Sequence, residues 1–316
     1  MKKTPIILAA ALTVSATAMG ASAADSSLIV LGDSITTGYG LDGYIAGDNS
    51  SASGSFANQL ALNYTSYNNF AVDGRTTEQL LTALDDADVS AALSGADTIV
   101  ISIGGNDFLQ PMISAVMSAA LSDPDIMNAF SGNADETDYM DLMQKMTETI
   151  VAAAQEVDTD KVCQNINEIL AAVKSSAPDA QVLILTVYDP FEGVTGMEVL
   201  DVVAREKLAE LNSGIADAAD ANGADIIDVF TAFKGNALGL TNISKMDIHP
   251  NADGHSLIYS LLTDKVELPA APTAAEVTIE TTEPKGSPDT GVENIAIVGG
   301  LVMTATAGLF LSRRRR

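Results

Sequence analysis

The chain has 316 residues, 47% of them hydrophobic and 5% aromatic, with 42 acidic residues against 16 basic ones and a formal net charge of −26. That balance excludes the extended basic surface that nucleic-acid backbones require. One cysteine and two histidines exclude an intrachain disulfide framework, a cysteine-based zinc site and a histidine-rich metal centre.

At the N-terminus Met1, Lys2 and Lys3 precede an apolar run from Ile6 to Met19 and the small residues Ala21-Ser22-Ala23. This is the pattern of a secretory signal peptide over residues 1–23, so the mature chain is expected to begin at Ala24. Short β-branched runs then alternate with longer segments of helical period. Ser27–Leu31, Thr98–Ile103, Val182–Val187 and Asp225–Val229 are predicted as buried strands, with a weaker one near Asn68–Val72. Helices are predicted around 54–64, 76–84, 138–175, 198–222 and 253–263. Apolar strands separated by helices predict an α/β fold over residues 24–267, a three-layer α/β/α arrangement of flavodoxin-like type with a mostly parallel five-stranded sheet. Such a sheet places its ligand crevice at the carboxyl ends of the strands.

The composition changes after the last predicted helix. Residues 268–286 are rich in Pro, Thr and Glu and poor in core-forming residues, which predicts an extended, disordered spacer. Ser287-Pro288-Asp289-Thr290-Gly291 follows, then an apolar stretch from Ile295 to Leu311 and a basic tail from Arg313 to Arg316. The apolar stretch and arginines alone describe a C-terminal membrane anchor with a cytoplasmic tail. Pentapeptide, stretch and tail together resemble the sorting signal of Gram-positive surface proteins over residues 287–316. The resemblance implies secretion, cleavage after Thr290 by a sortase and attachment of Thr290 to cell-wall peptidoglycan. Ser287 stands where the commonest form of the signal has Leu, which leaves the identity of the sortase open.

Polar residues gather at the predicted strand ends. The first strand runs into Gly32-Asp33-Ser34, where a serine at a strand-to-helix turn exposes its Oγ and aims its own N–H at a reacting oxygen. The second ends in Asp73-Gly74-Arg75, whose turn offers a backbone donor. The third ends in Gly104-Gly105-Asn106-Asp107, where the Asn amide offers a neutral donor to an oxyanion. A late loop, Met246-Asp247-Ile248-His249-Pro250, brings a carboxylate and an imidazole together before the last helix.

Four blocks in this order resemble the SGNH-hydrolase superfamily, also called GDSL esterases and lipases, from about Ser27 to Leu262. The resemblance implies Ser34 as nucleophile and His249 as general base, with the Ser34 and Gly74 N–H groups and Asn106 Nδ2 as the oxyanion hole. It also implies two-step acyl transfer without a metal or organic cofactor. The family's acid usually stands three positions before the histidine; here that position is Met246, and Asp247 is two before. Asp247 is the favoured partner of His249, with the backbone carbonyl of Met246 as the alternative. Independently, the mature domain contains no G-x-S-x-G, which argues against the ordinary α/β-hydrolase fold.

Other residues have blander expectations. His255 and Cys163 are expected to be structural, Asp33 to hydrogen-bond neighbouring loops, and Arg75 to sit on an exposed loop with a substrate contact as the alternative. Acidic clusters such as Asp85-Asp86-Ala87-Asp88 lack the order of a calcium loop and are expected to be a solvated face. Residues 108–139, with Met112, Met117, Met127 and Phe130, read as an insertion over the crevice, either an adaptable acyl-chain lid or ordinary core. The leading expectation is a monomeric, surface-displayed esterase or lipase acting on small-molecule or lipid esters. A polysaccharide O-deacetylase acting on glycan esters is the enzymatic alternative, and a surface adhesion module the non-catalytic one.

Overall fold

The computed structural model describes residues 26–123, 136–245, 247–266 and 278–279. The expected signal peptide, the sorting signal, Met127, Phe130 and Met246 lie outside the described residues. Six strands form one sheet: β1 Ser27–Gly32, β2 Ser66–Asn69, β3 Thr98–Ser102, β4 Gln181–Leu185, β5 Asp225–Ile227 and β6 Thr278–Ile279. Their order is β5-β4-β3-β1-β2-β6, and every pairing is parallel. The five expected strands make up the sheet proper. The two-residue β6 is an addition from the stretch expected to be a structureless spacer; Ser66 and Tyr67 of β2 pair with Thr278 and Ile279. An edge strand presents unpaired N–H and C=O groups, and the β-branched pair Thr278-Ile279 is suited to take them up.

The pleat sends alternate residues to opposite faces. Ile29, Leu31, Ile99, Ile101, Val182 and Ile184 belong to one core with the helices Thr77–Ala83, Thr159–Ser176 and Glu198–Asn222. Leu28, Val30, Val100, Leu183 and Leu185 belong to the other with the helices Phe56–Ala61 and Ala252–Thr263. Each fully buried aliphatic side chain contributes about 1.5–3 kcal/mol by leaving water, so the sheet is held from both sides.

Two helical expectations change. The single helix predicted over 138–175 is two, Glu136–Gln155 and Thr159–Ser176. Asp158 forces the break, because its side chain accepts the Lys161 N–H at 3.0 Å and starts a new helix. The segment read as an insertion begins as the 18-residue helix Gly105–Ser122, with Phe108 and Val116 buried. Val116 packs with Met146, Ile150, Val194, Met197, Leu200 and Ile243 in a third apolar cluster, and Met112 lies against it.

Candidate active site

With β1 at the centre, the chain proceeds first to β2 on one side and then to β3 on the other, so the direction of winding switches between β1 and β3. A crevice opens at the carboxyl ends of the strands at such a point. Ser34 follows β1 directly and opens the short helix Ser34–Thr37. Asp33 caps that helix: its backbone is extended and its carboxylate accepts the Ile35 N–H at 3.0 Å. Asn106 enters from the other side of the switch, in the first turn of Gly105–Ser122 after β3.

The histidine loop is closed on itself before it reaches the serine. Thr241 and Pro250 form an isolated antiparallel bridge, and the Asn242 N–H donates to the His249 carbonyl at 2.9 Å. The Tyr188 hydroxyl donates to the Ile248 carbonyl at 2.7 Å, fixing the peptide that joins Ile248 to His249. His249, only 2% exposed, sets its Nε2 at 2.8 Å from Ser34 Oγ. Its Nδ1 lies 2.5 Å from Asp247 Oδ1, which also accepts the His249 backbone N–H at 3.0 Å. Burial pushes the Asp247 carboxyl up, but the hydrogen bond and charge of His249 and that backbone N–H outweigh it and hold the group below the usual carboxylate value. Gly40 lets this carboxylate in: its φ is +84°, and a Cβ there would stand 2.6 Å from Asp247 Oδ2.

The remaining expected donors gather nearby. Gly74 turns with φ +72°, and its carbonyl accepts from Gln110 Nε2. Asn106, 4% exposed, donates from Nδ2 to Asp33 Oδ2 and to the Arg75 carbonyl, each at 3.2 Å. Asp33 therefore ties the Ser34 turn to Asn106. Burial raises its carboxyl to about 7, against the Ile35 N–H and the charge of His249, which lower it. Arg75 differs from the expected exposed loop cation. It is half-buried, its Nη1 is hydrogen-bonded back onto the Phe70 carbonyl, and burial lowers its pKa. The neighbouring Asp107 holds a different junction, accepting from the Thr77 N–H at 3.0 Å and Thr77 Oγ1 at 2.6 Å. His255 is fully buried, accepts the Phe56 N–H on Nδ1 at 3.2 Å, and is lowered to about 3 by burial, which keeps it neutral.

A cleft of about 710 Å³, counted out to open solvent, is lined in part by residues next in sequence to the serine and histidine. Ile35, Gly105 and Ile248, the neighbours of Ser34, Asn106 and His249, line its inner end. Phe108, Met112, Ile150, Phe191, Leu200 and Val203 carry an apolar wall along three helices and the loop after β4. Of the methionines in the expected insertion, Met112 reaches this wall.

The roles of several residues around the site went unnoticed in the sequence. Tyr39 lays its ring 4.5 Å from that of His249, Tyr44 lies 5.1 Å from Tyr39, and Asp73 accepts from Thr37 Oγ1 at 2.6 Å and from the Tyr44 hydroxyl. The one available signal was the run Gly38-Tyr39-Gly40 with Gly43-Tyr44 directly after the Ser34 turn.

Comparison with known proteins agrees with this architecture. Among solved structures, an extracellular lipase from Streptomyces rimosus aligns with TM-score 0.52 and 22% identity, covering 76% of this chain and 100% of its own. Phospholipase A1 from Streptomyces albidoflavus NA297 aligns with TM-score 0.52 and 20% identity, covering 77% and 100%. The lipase Lip_vut3 from a goat rumen metagenome aligns with TM-score 0.50 and 18% identity, covering 76% and 96%. At these identities the likeness establishes the fold. No curated protein matches the chain. Residues 30–257 match the GDSL-like Lipase/Acylhydrolase family, a span that takes in the Ser34 turn, Gly74, Asn106 and the histidine loop. The chain belongs to the GDSL-like lipase/acylhydrolase family and is, by that membership, a carboxylic ester hydrolase.

Proposed function

We propose that Ser34, His249 and Asp247 are the catalytic triad of an esterase that accepts lipid-like acyl chains. The observation that carries this reading is the unbroken relay of 2.8 Å from Oγ to Nε2 and 2.5 Å from Nδ1 to Oδ1, set beside an apolar cleft. Ser34 Oγ attacks the ester carbonyl while His249 Nε2 takes its proton. The carbon–oxygen bond to the alcohol breaks as the imidazolium returns that proton to the leaving oxygen. Water, deprotonated by the same Nε2, then frees the acyl group and restores Ser34. The Ser34 and Gly74 N–H groups and Asn106 Nδ2 stabilise the tetrahedral oxyanion. Both Asn106 amide hydrogens serve Asp33 and the Arg75 carbonyl in the resting site, so the oxyanion takes over one of these acceptor positions. Donor geometry in free enzymes commonly tightens only once the reacting group is present.

The cleft favours a chain of several carbons over acetate. From Gly105 to Met112 its wall follows two turns of helix, about 10 Å at 1.5 Å per residue, and an acetyl group would leave most of that surface wet. The same reading places the enzyme outside the cell. Residues 1–23 direct export, residues 268–286 act as the spacer after the catalytic domain, touching its sheet through Thr278-Ile279, and the 287–316 signal delivers Thr290 to a sortase and on to peptidoglycan. The order of pentapeptide, apolar stretch and basic tail supports this part of the reading.

Hydrolysis of p-nitrophenyl esters from acetyl to palmitoyl tests the acyl preference. The expected result is a kcat/KM that rises from acetyl to a maximum at medium or long chains and is abolished in Ser34→Ala. Turnover confined to acetyl would replace the lipid-like substrate with acetylated ones.

A further inference from the structure

An ester has two halves, and the apolar cleft accounts for the acyl half only. The imidazole that protonates the leaving oxygen faces the alcohol half, so side chains in contact with His249 but outside the cleft border that group. Tyr39 is the aromatic neighbour of that imidazole: its ring lies 4.5 Å from the His249 ring at an interplanar angle of 43°, whereas the apolar wall is drawn from other segments, around residues 105–112, 150–154, 187–191 and 200–208. Tyr44 continues the surface, 5.1 Å from Tyr39. Both tyrosines are partly buried, and the residue after Tyr44, Ile45, is 60% exposed. The chain has only 7 Tyr, 8 Phe and no Trp, yet it sets two aromatic rings side by side at the mouth of its active site.

This surface is built rather than left over. Tyr39 stands between Gly38 and Gly40, at φ +82° and +84°, the left-handed region that favours glycine. A Cβ on Gly38 would lie 2.8 Å from the Cβ atoms of Ala52 and Ser55, and one on Gly40 would lie 2.6 Å from Asp247 Oδ2. The backbone on both sides of Tyr39 is thereby fixed against the loop and the site. The Tyr44 hydroxyl donates to buried Asp73, which orients its ring. Asn49 Nδ2 ties the loop to the carbonyls of Asn69 and Ala71 at 3.0 and 2.9 Å, and Asn58 Nδ2 holds the Asn49 carbonyl at 2.9 Å. Aromatic surface held in place at a reacting centre stacks on a ligand without first losing conformational freedom.

We propose that Tyr39 and Tyr44 form the alcohol-side subsite of this enzyme and select esters whose leaving alcohol presents a flat ring face. The shared chemistry is stacking of that face on tyrosine, and either an aryl alcohol or a sugar supplies it. The proposal rests on Ser34 and His249 acting as the esterase centre described above. It adds that discrimination among alcohols is located in the 38–54 loop, separate from the acyl cleft.

The test holds the acyl group constant and varies the alcohol. Wild-type protein is assayed on methyl octanoate, benzyl octanoate and 6-O-octanoyl glucose, together with Tyr39→Ala, Tyr39→Phe and Tyr44→Phe. The readout is the ratio of kcat/KM for each ring-bearing ester to that for the methyl ester. The expected result is a ratio above one for at least one ring-bearing ester. That ratio should fall roughly three- to tenfold in Tyr39→Ala, the scale of one aromatic stacking contact, be retained in Tyr39→Phe, and fall by less in Tyr44→Phe, which keeps the ring and loses the Asp73 bond that orients it. Preference for benzyl alone or glucose alone identifies the source of the ring. A wild-type ratio of one or less for both ring-bearing esters, or a ratio unaltered by Tyr39→Ala, overturns the subsite. Absence of turnover on all three esters, with Ser34 unlabelled by a fluorophosphonate, overturns the esterase centre itself and the subsite with it.

Discussion

The spacing of two between Asp247 and His249 is the point at which this chain departs from the pattern it otherwise follows. The geometry explains why the shorter spacing serves. One oxygen of Asp247 accepts both the backbone N–H and Nδ1 of His249, so the carboxylate closes a local turn and orients the ring in one arrangement. Gly40 gives the other oxygen room. If Asp247 is the triad acid, Asp247→Asn lowers kcat on the order of 10⁴, by analogy with serine proteases, with little change in KM for the ester substrate. A loss smaller than about tenfold would instead assign the orienting role to a backbone carbonyl. Ser34, Asn106, Asp247 and His249 were visible in the sequence because each sits in a short block at a strand end or loop. Tyr188, Asp73 and Tyr39 were not, since their importance arises from contacts with Ile248, Thr37 and His249 that join distant parts of the chain.

At the level of elements, strands other than β2 were the most legible, because short runs rich in β-branched apolar residues suit a buried, pleated element. The helical period ran unbroken across Asp158 and hid a boundary that one side-chain cap decides. The methionine-rich segment 108–139 suggested an insertion over the crevice, whereas its start, up to Ser122, continues the helix Gly105–Ser122, whose inner side supplies Phe108 and Met112 to the cleft. The loop after β4 forms part of the facing wall, and its Asp189 is buried. Burial raises that carboxyl from 3.8 to about 7; the Phe191 N–H opposes the shift, and the nearby charges of Asp201 and Glu192 add to it. The folded protein therefore keeps a proton that the unfolded chain releases, and the stability this gives is complete below about 3.8 and lost as pH rises through about 7. Asp189→Asn removes the titration. Thermal denaturation should show the melting temperature of the variant gaining on wild type from about pH 4 to about pH 8, with the change in that interval centred below pH 7. A difference that stays constant with pH would show that Asp189 titrates alike in both states.

The molecule as a whole is a parallel sheet that collects its chemistry at one end. The reversal of winding between β1 and β3 brings the Ser34 turn and Asn106 to a common crevice, and the last loop before the helix Ala252–Thr263 delivers His249 to it. This convergence was predictable from the order of elements, because strand ends of one parallel sheet must share a face. The proposed two-sided division of the site was not, since the apolar cleft gathers residues from separate segments and the tyrosine pair, though close in sequence, gains its meaning only from the contact of Tyr39 with His249. The strongly negative chain, at −26, disfavours anionic macromolecules as substrates and suits an apolar ester entering a mostly apolar cleft whose lining includes one charged residue, Lys207. The central claim is that Ser34 is the activated nucleophile of this crevice. Treating the whole protein with a fluorophosphonate and mapping the adduct by peptide mass spectrometry tests it most directly. A single adduct on Ser34, absent in Ser34→Ala and formed far more slowly in His249→Ala, is the predicted result; an unmodified Ser34, or an adduct on another residue that persists in Ser34→Ala, would contradict it.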